Sequence, residues 1–390
     1  MMPSEDTLDL FTADLPGPAL HDLFRAARHT AGRARTRLHG MPAYLIVRFA
    51  DVKAFLADDQ GFPGGMTYVH QVEPVVGRTF ISMDGDAHKL YRLLATPAFR
   101  SSAVARFVEH ALLPLAHELV DRFAARGSAD LVAEFTDVLP YLAISRKLGL
   151  PVESERRQRA LARALLSYPV DPAGAQAASA ELTRVIAPIL EARRRNSGND
   201  VLSGLLATEV KGHRLNDDDI VSHVRLLFAV GATTTADAMG NLFWAVLTQP
   251  GLLARAQQDP ALRPGIVDEL LRWEPPVAAL PRFTVAGGRI GGEEVPAGSL
   301  VLAALVGANR DPDVFDEPDR FVPEREEKEI LTFGFGSKYC PGVNLARRQL
   351  LTALNVVLER LPELRIAGPA APSGGILRSV KSLPVVWRPA

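Results

Sequence analysis

Hydrophobic positions along most of the chain recur with the spacing of α-helices. Residues 103–126, 153–166 and 175–195 place apolar side chains three and four positions apart and are rich in good helix formers. Short β-type stretches lie near both ends of the chain and around Pro- and Gly-containing turns: Ala43–Val47, Arg289–Ile290, Leu300–Ala304 and Pro384–Trp387. The pattern therefore predicts a mainly α protein with a small β-rich part.

The longest uninterrupted helical pattern begins after Asn216, which can cap a helix whose first turn carries three Asp residues. No proline occurs until Pro250, so the pattern predicts a helix of roughly 33 residues, about 50 Å long, enough to cross a whole domain. Its middle, residues 229–235, combines Gly231 with three Thr residues, which are poor helix formers. We therefore expect a reason other than helix propensity for this segment.

Composition and charge are those of a folded globular protein. Hydrophobic residues make up 47% and charged residues 23% of the 390 residues, and the net charge of -1 gives no overall field that would hold nucleic acid. No repeat, low-complexity tract or linker divides the chain. We expect a single domain over residues 1–390, in which about 40 N-terminal residues form a lead-in.

Nothing in the sequence predicts export or a membrane anchor. Residues 1–17 carry four acidic side chains and no Lys or Arg, the opposite of a secretory signal, and one cysteine cannot form an internal disulfide. The most apolar stretch, residues 226–247, is interrupted by three Thr residues, Asp237 and Asn241, which would be costly in lipid. We therefore expect a soluble, cytoplasmic protein.

The loop around the only cysteine indicates the chemistry. It reads Phe-Gly-Phe-Gly-Ser-Lys-Tyr-Cys-Pro-Gly over residues 333–342, and a helical pattern follows from Val343 to Leu358. Amide groups at a helix start favour a thiolate and lower its pKa, and the glycines let the backbone approach a flat ligand. An ordinary buried cysteine, a nucleophile and a zinc ligand are the alternatives; a nucleophile needs a neighbouring His base, and zinc needs several ligands.

The spacing Phe333-x-x-Gly336-x-Lys338-x-Cys340-x-Gly342 closely resembles the haem-binding signature of the cytochrome P450 family in its soluble bacterial form. The resemblance implies a haem b (iron protoporphyrin IX) whose proximal iron ligand is the Cys340 thiolate, with Phe333 covering the sulfur. It also implies the cytochrome P450 fold, a triangular prism with the haem between the long central helix and the helix after the Cys loop. Lys338 stands where the family usually has His or Arg for a haem propionate, with a different donor geometry.

Further motifs occur in the order that the family shows. The family's buried structural triad corresponds to Glu269, Arg272 and Arg325. The residues that bind the haem propionates in the family correspond to His88, Arg92 and Arg282. Residues 308–321 resemble the Pro-punctuated meander that precedes the Cys loop. Taken alone, the Glu-x-x-Arg pair would fit a solvated ion pair, and the His and Arg one turn apart would fit an exposed helix face.

The distal segment departs from the family pattern at one position. In the resemblance, Thr234 is the alcohol that helps to deliver protons for oxygen activation, and Gly231 is the small residue that leaves room for oxygen. The acid position is Thr233, which does not titrate near working pH. We expect a water chain, Asp237 or a substrate group to replace that acid; the plain alternative is that Thr233 packs or bonds back to its own helix.

The resemblance places substrate contacts in residues 62–80, 164–170, 227–234 and 277–280. The candidate pocket residues are Tyr68, His70, Phe228, Val230, Ala279 and Leu280. Most of them are apolar, which predicts a hydrophobic small molecule, although Phe228 is equally suited to the core.

The resemblance implies a monooxygenase of secondary metabolism that oxidises, in the simplest case hydroxylates, this molecule. A chain without flavin motifs needs electrons from a ferredoxin and its reductase, or from a flavodoxin, with NAD(P)H as their source. The basic residues expected to dock an acidic partner near the proximal side are Lys89, Arg92, Arg100, Lys338, Arg347 and Arg348. A peroxide-using enzyme is disfavoured because residues 226–247 lack an Arg-Pro pair, and a haem-binding partner domain without turnover is the remaining alternative.

Overall fold

A computed structural model describes residues 8–30, 32–152, 154–290, 292–326 and 329–389. The helices are α1 Ala19–His29, α2 Phe49–Ala57, α3 Gly64–Gln71, α4 Glu73–Val76, α5 Gly85–Ala95, α6 Ser101–Phe107, α7 Leu113–Asp121, α8 Leu139–Leu148, α9 Glu155–Leu166, α10 Pro172–Arg195, α11 Val201–Ala207, α12 Asp217–Thr248, α13 Leu252–Gln258, α14 Arg263–Trp273, α15 Leu305–Ala308 and α16 Val343–Arg360. The strands are β1 Arg33–Leu38, β2 Met41–Ile46, β3 Ser128–Asp130, β4 Ala279–Phe283, β5 Gly288–Ile290, β6 Glu293–Val295, β7 Leu300–Ala304, β8 Arg365–Ile366, β9 Pro372–Ser373, β10 Ser379–Val380 and β11 Pro384–Val386. The prediction of a mainly helical chain with small sheets is confirmed.

The central helix forms as its end signals predict. The Asn216 side chain accepts a hydrogen bond from the Asp219 amide at 2.8 Å, and the Asp219 carboxylate accepts one from the Asn216 amide at 3.2 Å. These reciprocal bonds satisfy amides that a helix start otherwise leaves unpaired. The helix runs for 32 residues and is buried on several faces, which explains why its sequence is apolar nearly all round.

The other predicted helices are present with shifted ends. The segment predicted over residues 103–126 contains α6 and α7, joined by a π-helical turn at Val108–Leu112. The second predicted helix begins at Glu155, and Glu153 lies outside the described residues. No helix in the described part of the chain is both long and apolar enough to cross a membrane.

A four-stranded sheet has the order β1-β2-β7-β4. The strands β1 and β2 form an antiparallel hairpin, β2 pairs in parallel with β7, where Ala43 lies opposite Leu300, and β4 pairs antiparallel with β7. All four predicted β-type stretches lie in or overlap strands, but β1 and β4 were not predicted. The β4–β7 pairing carries residues 277–282 to the edge of the cavity described below.

Two large hydrophobic clusters meet at the central helix. One joins the C-terminal half of α12 to α7, α14 and α16, and the other joins its N-terminal half to α5, α8, α10 and α11. Since α12 and α16 also contact each other directly, the two helices are held at a fixed separation. The space between them is the candidate site.

Candidate active site

The Cys loop is shaped by two glycines with left-handed backbone. Gly334 and Gly336 both have φ of 72°, and a Cβ on Gly336 would lie 3.0 Å from the Leu56 carbonyl oxygen. The loop closes through a hydrogen bond that the Cys340 amide donates to the Phe333 carbonyl at 2.9 Å. The loop therefore presents the sulfur of Cys340 to one side of a cavity.

Burial raises the pKa of the Cys340 thiol above its ordinary value, and hydrogen bonds from the Gly342 and Val343 amides and the charge of Arg92 lower it only in part. The predicted amide donors at the start of α16 are therefore present. The effect of these donors on the thiol pKa has the predicted direction, and burial outweighs it in the chain alone.

The cavity has a volume of about 310 Å³, and two helices form its opposite sides. From α12 the lining residues recur with helical period: Leu226, Leu227, Val230, Gly231, Thr234, Thr235 and Ala238. From α16 and the residue before it they are Gly342, Leu345, Ala346, Gln349 and Leu350. Two largely apolar helix faces with the Cys340 sulfur between them suit a flat apolar ligand.

Polar groups gather at one end of this cavity. His88 is buried, and its Nε2 has no hydrogen-bond partner among the described residues. Burial, together with the positive charges of Lys338 and Arg92, lowers the pKa of His88 to about 4. Arg282 is 4% exposed and uses Nη1 for the carbonyls of residues 55, 56 and 62. Three cations and an unpartnered imidazole make this end suitable for anionic groups.

Arg92 and Lys338 also hold loops of the cavity wall. Arg92 Nη2 donates to the Tyr339 carbonyl at 2.5 Å, which ties α5 to the Cys loop. Lys338 Nζ donates to the carbonyls of Ile81, at 3.2 Å, and Met83, and it forms an ion pair with Asp84 at 3.3 Å. Lys338 is therefore engaged by this neighbouring turn as well as facing the predicted propionate site.

Comparisons with known proteins agree with this geometry. The family model "Cytochrome P450" matches residues 262–362. Cytochrome P450 107B1 of Saccharopolyspora erythraea is 32% identical over 94% of this chain and 96% of its own, and the mycinamicin IV hydroxylase/epoxidase of Micromonospora griseorubida is 32% identical over 96% and 97%. The solved structure of CYP109Q5 from Chondromyces apiculatus, 30% identical, covers 99% of both chains with a TM-score of 0.89.

This chain belongs to the cytochrome P450 family. It is a cytochrome P450 monooxygenase with the family's haem-thiolate cofactor. The residues present fit a haem: Cys340 lies on the cavity wall, and apolar helix faces lie on both sides of the cavity. The Nε2 atom of His88 has no partner among the described residues, so it can bond to a polar group of the cofactor.

The two threonines of the distal P450 segment have different surroundings. Thr234 lines the cavity, with no hydrogen bond from its hydroxyl to another described residue. Thr233 is buried, and its hydroxyl donates to the Ala229 carbonyl at 3.2 Å, which is the back-bond to its own helix that the plain alternative describes. Gly231 lines the cavity, but its Cβ would lie 2.9 Å from the Ile144 side chain, so helix packing alone requires a small residue.

Asp237 is not among the described residues that line the cavity. Its carboxyl group shares a hydrogen bond with Ser379, and burial raises its pKa to about 6, while the charges of Arg163 and Lys381 oppose the rise. Thr234 and Asp237 are three residues apart, so they lie on neighbouring faces of α12. Asp237 is therefore an acid that lies next to the distal wall of the P450 cavity but does not line it.

Three predicted pocket residues, Tyr68, Val230 and Leu280, line the P450 cavity. The other three do not. His70 is exposed at the end of α3, Phe228 is 1% exposed within the core cluster around the first half of α12, and Ala279 lies in β4 on the sheet side that packs against α1. The structure therefore places these three predicted residues outside the cavity lining, because helix and strand periodicity turns each of them away from it.

The predicted triad comes together as a buried ion-pair cluster. Arg272 donates to both Glu269 oxygens, at 2.8 and 2.7 Å, and Arg325 Nε lies 3.3 Å from the same carboxylate. Arg272 also donates to three carbonyls of the segment 309–320. The cluster therefore fixes the meander before the Cys loop to α14.

Sequence reasoning missed several lining residues, among them Phe99, Thr235, Thr332 and Gln349. Gln349 is fully buried, and both polar atoms of its side chain are without a partner in the described part of the chain. Counting three, four, seven and eight residues on from Gly342 would have found the α16 wall, including Gln349. The same count from Gly231 reaches Thr234, Thr235 and Ala238.

Proposed function

We propose that this chain uses haem b to hydroxylate or epoxidise a hydrophobic secondary metabolite with electrons from a ferredoxin system. The observation that carries the proposal is one apolar cavity with Cys340 on one side and Thr234 on the other. The name of the mycinamicin IV hydroxylase/epoxidase supports both the reaction type and the substrate class. Bound haem supplies dioxygen activation and electron storage, and the protein supplies ligation, orientation and protons.

Each residue near the Cys loop has a separate task in this proposal. Cys340 ligates the iron, and the amides of Gly342 and Val343 donate to its sulfur and temper its electron donation. His88, Arg92 and Arg282 bind the propionates at the polar end of the cavity. Lys338 contributes charge there while it holds the neighbouring turn. Phe333 covers the approach to the sulfur.

Protons reach Thr234 from Asp237 in this proposal. Asp237 bonds to Ser379, whose hydroxyl accepts a hydrogen bond from the exposed Lys381 at 2.9 Å, so a polar connection leads outward to solvent. A pKa of about 6 lets Asp237 both donate and recover a proton near neutral pH. A water molecule between the two neighbouring helix faces would complete the transfer to the Thr234 hydroxyl.

The substrate side of the cavity is predominantly apolar. The lining residues that belong neither to the polar end nor to the Cys loop include Phe80, Leu226, Leu227, Val230, Val277 and Leu280. Tyr68 is the clearest polar contact, and burial raises the pKa of its hydroxyl, so it acts as a neutral hydrogen-bond partner. This composition favours a bulky, mostly apolar substrate with at least one polar group.

The electron donor docks near α16 in this proposal. Arg348 is exposed, while Arg347 forms an ion pair with Asp268 at 3.1 Å and lies 5.7 Å from the Phe333 ring centroid. Arg348 is therefore the better candidate for contact with an acidic ferredoxin or flavodoxin. Arg92 and Lys338 are engaged by loop carbonyls and act less as docking residues than predicted.

The absorption spectrum of the reduced protein with carbon monoxide tests the ligation. The haem-loaded protein should show the long-wavelength Soret band of a thiolate ligand, and Cys340→Ser should lose it. Thr332→Ser, which keeps a hydroxyl on the cavity wall, is the matched control and should retain the band. A native chain that binds haem without this band would refute the assignment of Cys340.

Product analysis distinguishes the proposed monooxygenase from a peroxide-using enzyme and from a haem-binding domain without turnover. A surrogate ferredoxin and reductase with NADPH should support oxygenation of a substrate that shifts the haem spin state. Oxygenation with peroxide alone at an equal rate would identify a peroxide-using enzyme. A substrate that binds tightly but is never oxidised would identify a partner domain without turnover.

A further inference from the structure

A turn at residues 79–83 forms part of the cavity wall. It contains the short helical turn Phe80–Ser82, and both Phe80 and Ile81 line the cavity. The turn is closed on itself, because the Thr79 amide donates to the Ser82 hydroxyl at 3.3 Å and that hydroxyl donates to the Thr79 carbonyl at 3.2 Å. A segment of this length needs further bonds to fix its distance from the helices around it.

A single imidazole supplies one of those bonds from the central helix. His223 on α12 is fully buried, and its Nε2 accepts a hydrogen bond from the Phe80 amide at 3.3 Å. Its Nδ1 donates to the Asp219 carbonyl at 2.6 Å. A carbonyl on one nitrogen and an amide on the other require the neutral ring with its proton on Nδ1.

Packing holds the imidazole in this orientation. The ring stacks with Phe80 and with Tyr91, with centroid separations of 5.7 and 6.0 Å. Tyr91 in turn donates to the Asp219 carboxylate at 3.5 Å, so both nitrogens of the imidazole have hydrogen-bond partners and the ring has two aromatic neighbours. The imidazole has no freedom to release the Phe80 amide without disturbing this stack.

We infer that His223 is a positioning residue that fixes the turn at residues 79–83, and with it the wall formed by Phe80 and Ile81. The turn is then held from two sides, by His223 at an amide and by Lys338 at carbonyls of Ile81 and Met83. If the chain has the proposed function, the position of this wall determines which substrates fit. The effect on substrate choice therefore rests on the proposed function, whereas the contact between His223 and the turn does not.

Protonation of the ring would abolish the acceptor. The titratable group that acts directly on His223 is Asp219 on its own helix, and Tyr91 faces it from α5, where Arg78 acts on Tyr91. Burial lowers the pKa of His223, which outweighs the opposing effect of Asp219. The contact is therefore complete at neutral pH, persists at the ordinary value of 6.5, and is lost only as the pH falls through the lowered folded-state pKa of His223.

Hydrogen exchange of the Phe80 amide tests the inference without any activity measurement. His223→Leu fills the site without an acceptor, and His223→Gln offers a side-chain oxygen to the same amide. One lost hydrogen bond should speed exchange in a peptide spanning residues 79–84 on the order of 3- to 10-fold in His223→Leu. Exchange in His223→Gln should stay within about twofold of the native protein, since the acceptor is replaced.

Two comparisons distinguish positioning from general destabilisation. Exchange over α14 should be unchanged in all variants. His213→Leu, which removes an exposed histidine, should behave as native in the peptide spanning residues 79–84. Equal acceleration in α14, or a His223→Gln protein as fast as His223→Leu, would overturn the inference.

The haem-loaded protein gives the second readout. The dissociation constant of 4-phenylimidazole, measured by difference spectroscopy, should rise severalfold in His223→Leu and return towards native in His223→Gln. Identical affinities in all three proteins would overturn the link from His223 to the cavity wall. Failure to bind haem at all would count against the proposed function, while the exchange experiment would still decide the role of His223.

Discussion

Removing the Arg272 side chain should destabilise the protein far more than removing a similar arginine on the surface. Arg272 is 2% exposed and donates five hydrogen bonds, two to Glu269 and three to carbonyls of the segment 309–320. Arg272→Leu leaves the Glu269 carboxylate with Arg325 and the Val322 amide as its remaining partners. Breaking a buried pair on one side costs about 3–5 kcal/mol in the free energy of unfolding.

The matched control is Arg320→Leu, because Arg320 and Glu317 also form a Glu-x-x-Arg pair, with both side chains more than 60% exposed. The urea midpoint of the haem-loaded protein, followed by circular dichroism, should fall clearly in Arg272→Leu and stay at the native value in Arg320→Leu. The fraction of protein that retains haem should also fall in Arg272→Leu and stay at the native value in Arg320→Leu. Equal midpoints for the two variants would refute the argument that burial makes this pair important.

Three further predictions concern the distal helix and the docking surface. Thr234→Ala should lower the product formed per NADPH consumed, whereas Thr233→Ala should leave this ratio unchanged because its hydroxyl bonds to its own helix. Asp237→Asn should raise the free energy of unfolding by about 2–3 kcal/mol at pH 7.5 and by only ~1 kcal/mol at pH 4.5. The sign follows because a folded-state pKa near 6, above the ordinary 3.8, makes the ionised native state costly above pH 6; a constant difference in urea titrations would contradict it. Arg348→Glu should slow reduction by ferredoxin and weaken its salt dependence, whereas Arg195→Glu, at the exposed end of α10, should have no effect on either.

The elements that the sequence predicted well are those with local signals. The central helix has a capping residue at one end and a proline after the other, so its limits follow from its own residues. The strands β1 and β4 were missed because their stability comes from pairing with β2 and β7, and Pro281 weakens the local strand pattern of β4. Pairing with neighbouring strands, and not local β propensity, therefore determines that these two segments are strands.

The site was predictable where the chemistry depends on spacing along the chain. Cys340 and its glycines lie in one loop, and a motif in one loop can be recognised directly. The predicted pocket residues that lie outside the cavity lining, such as His70 and Ala279, depend on which way one side chain faces in a short helix or strand. A shift of one residue in such an element reverses the face, and the sequence contains no local signal that fixes it.

The parallel pairing of β2 with β7 has a consequence for synthesis on the ribosome. The hairpin of β1 and β2 is complete once residue 46 has emerged, but its partner strand begins at Leu300. At about 5–20 residues per second, the roughly 250 intervening residues take on the order of 10–50 s to translate. During that time the β2 edge is an open pairing edge, and newly made chains can join through it. Slow translation or crowded expression should therefore reduce the yield of folded protein.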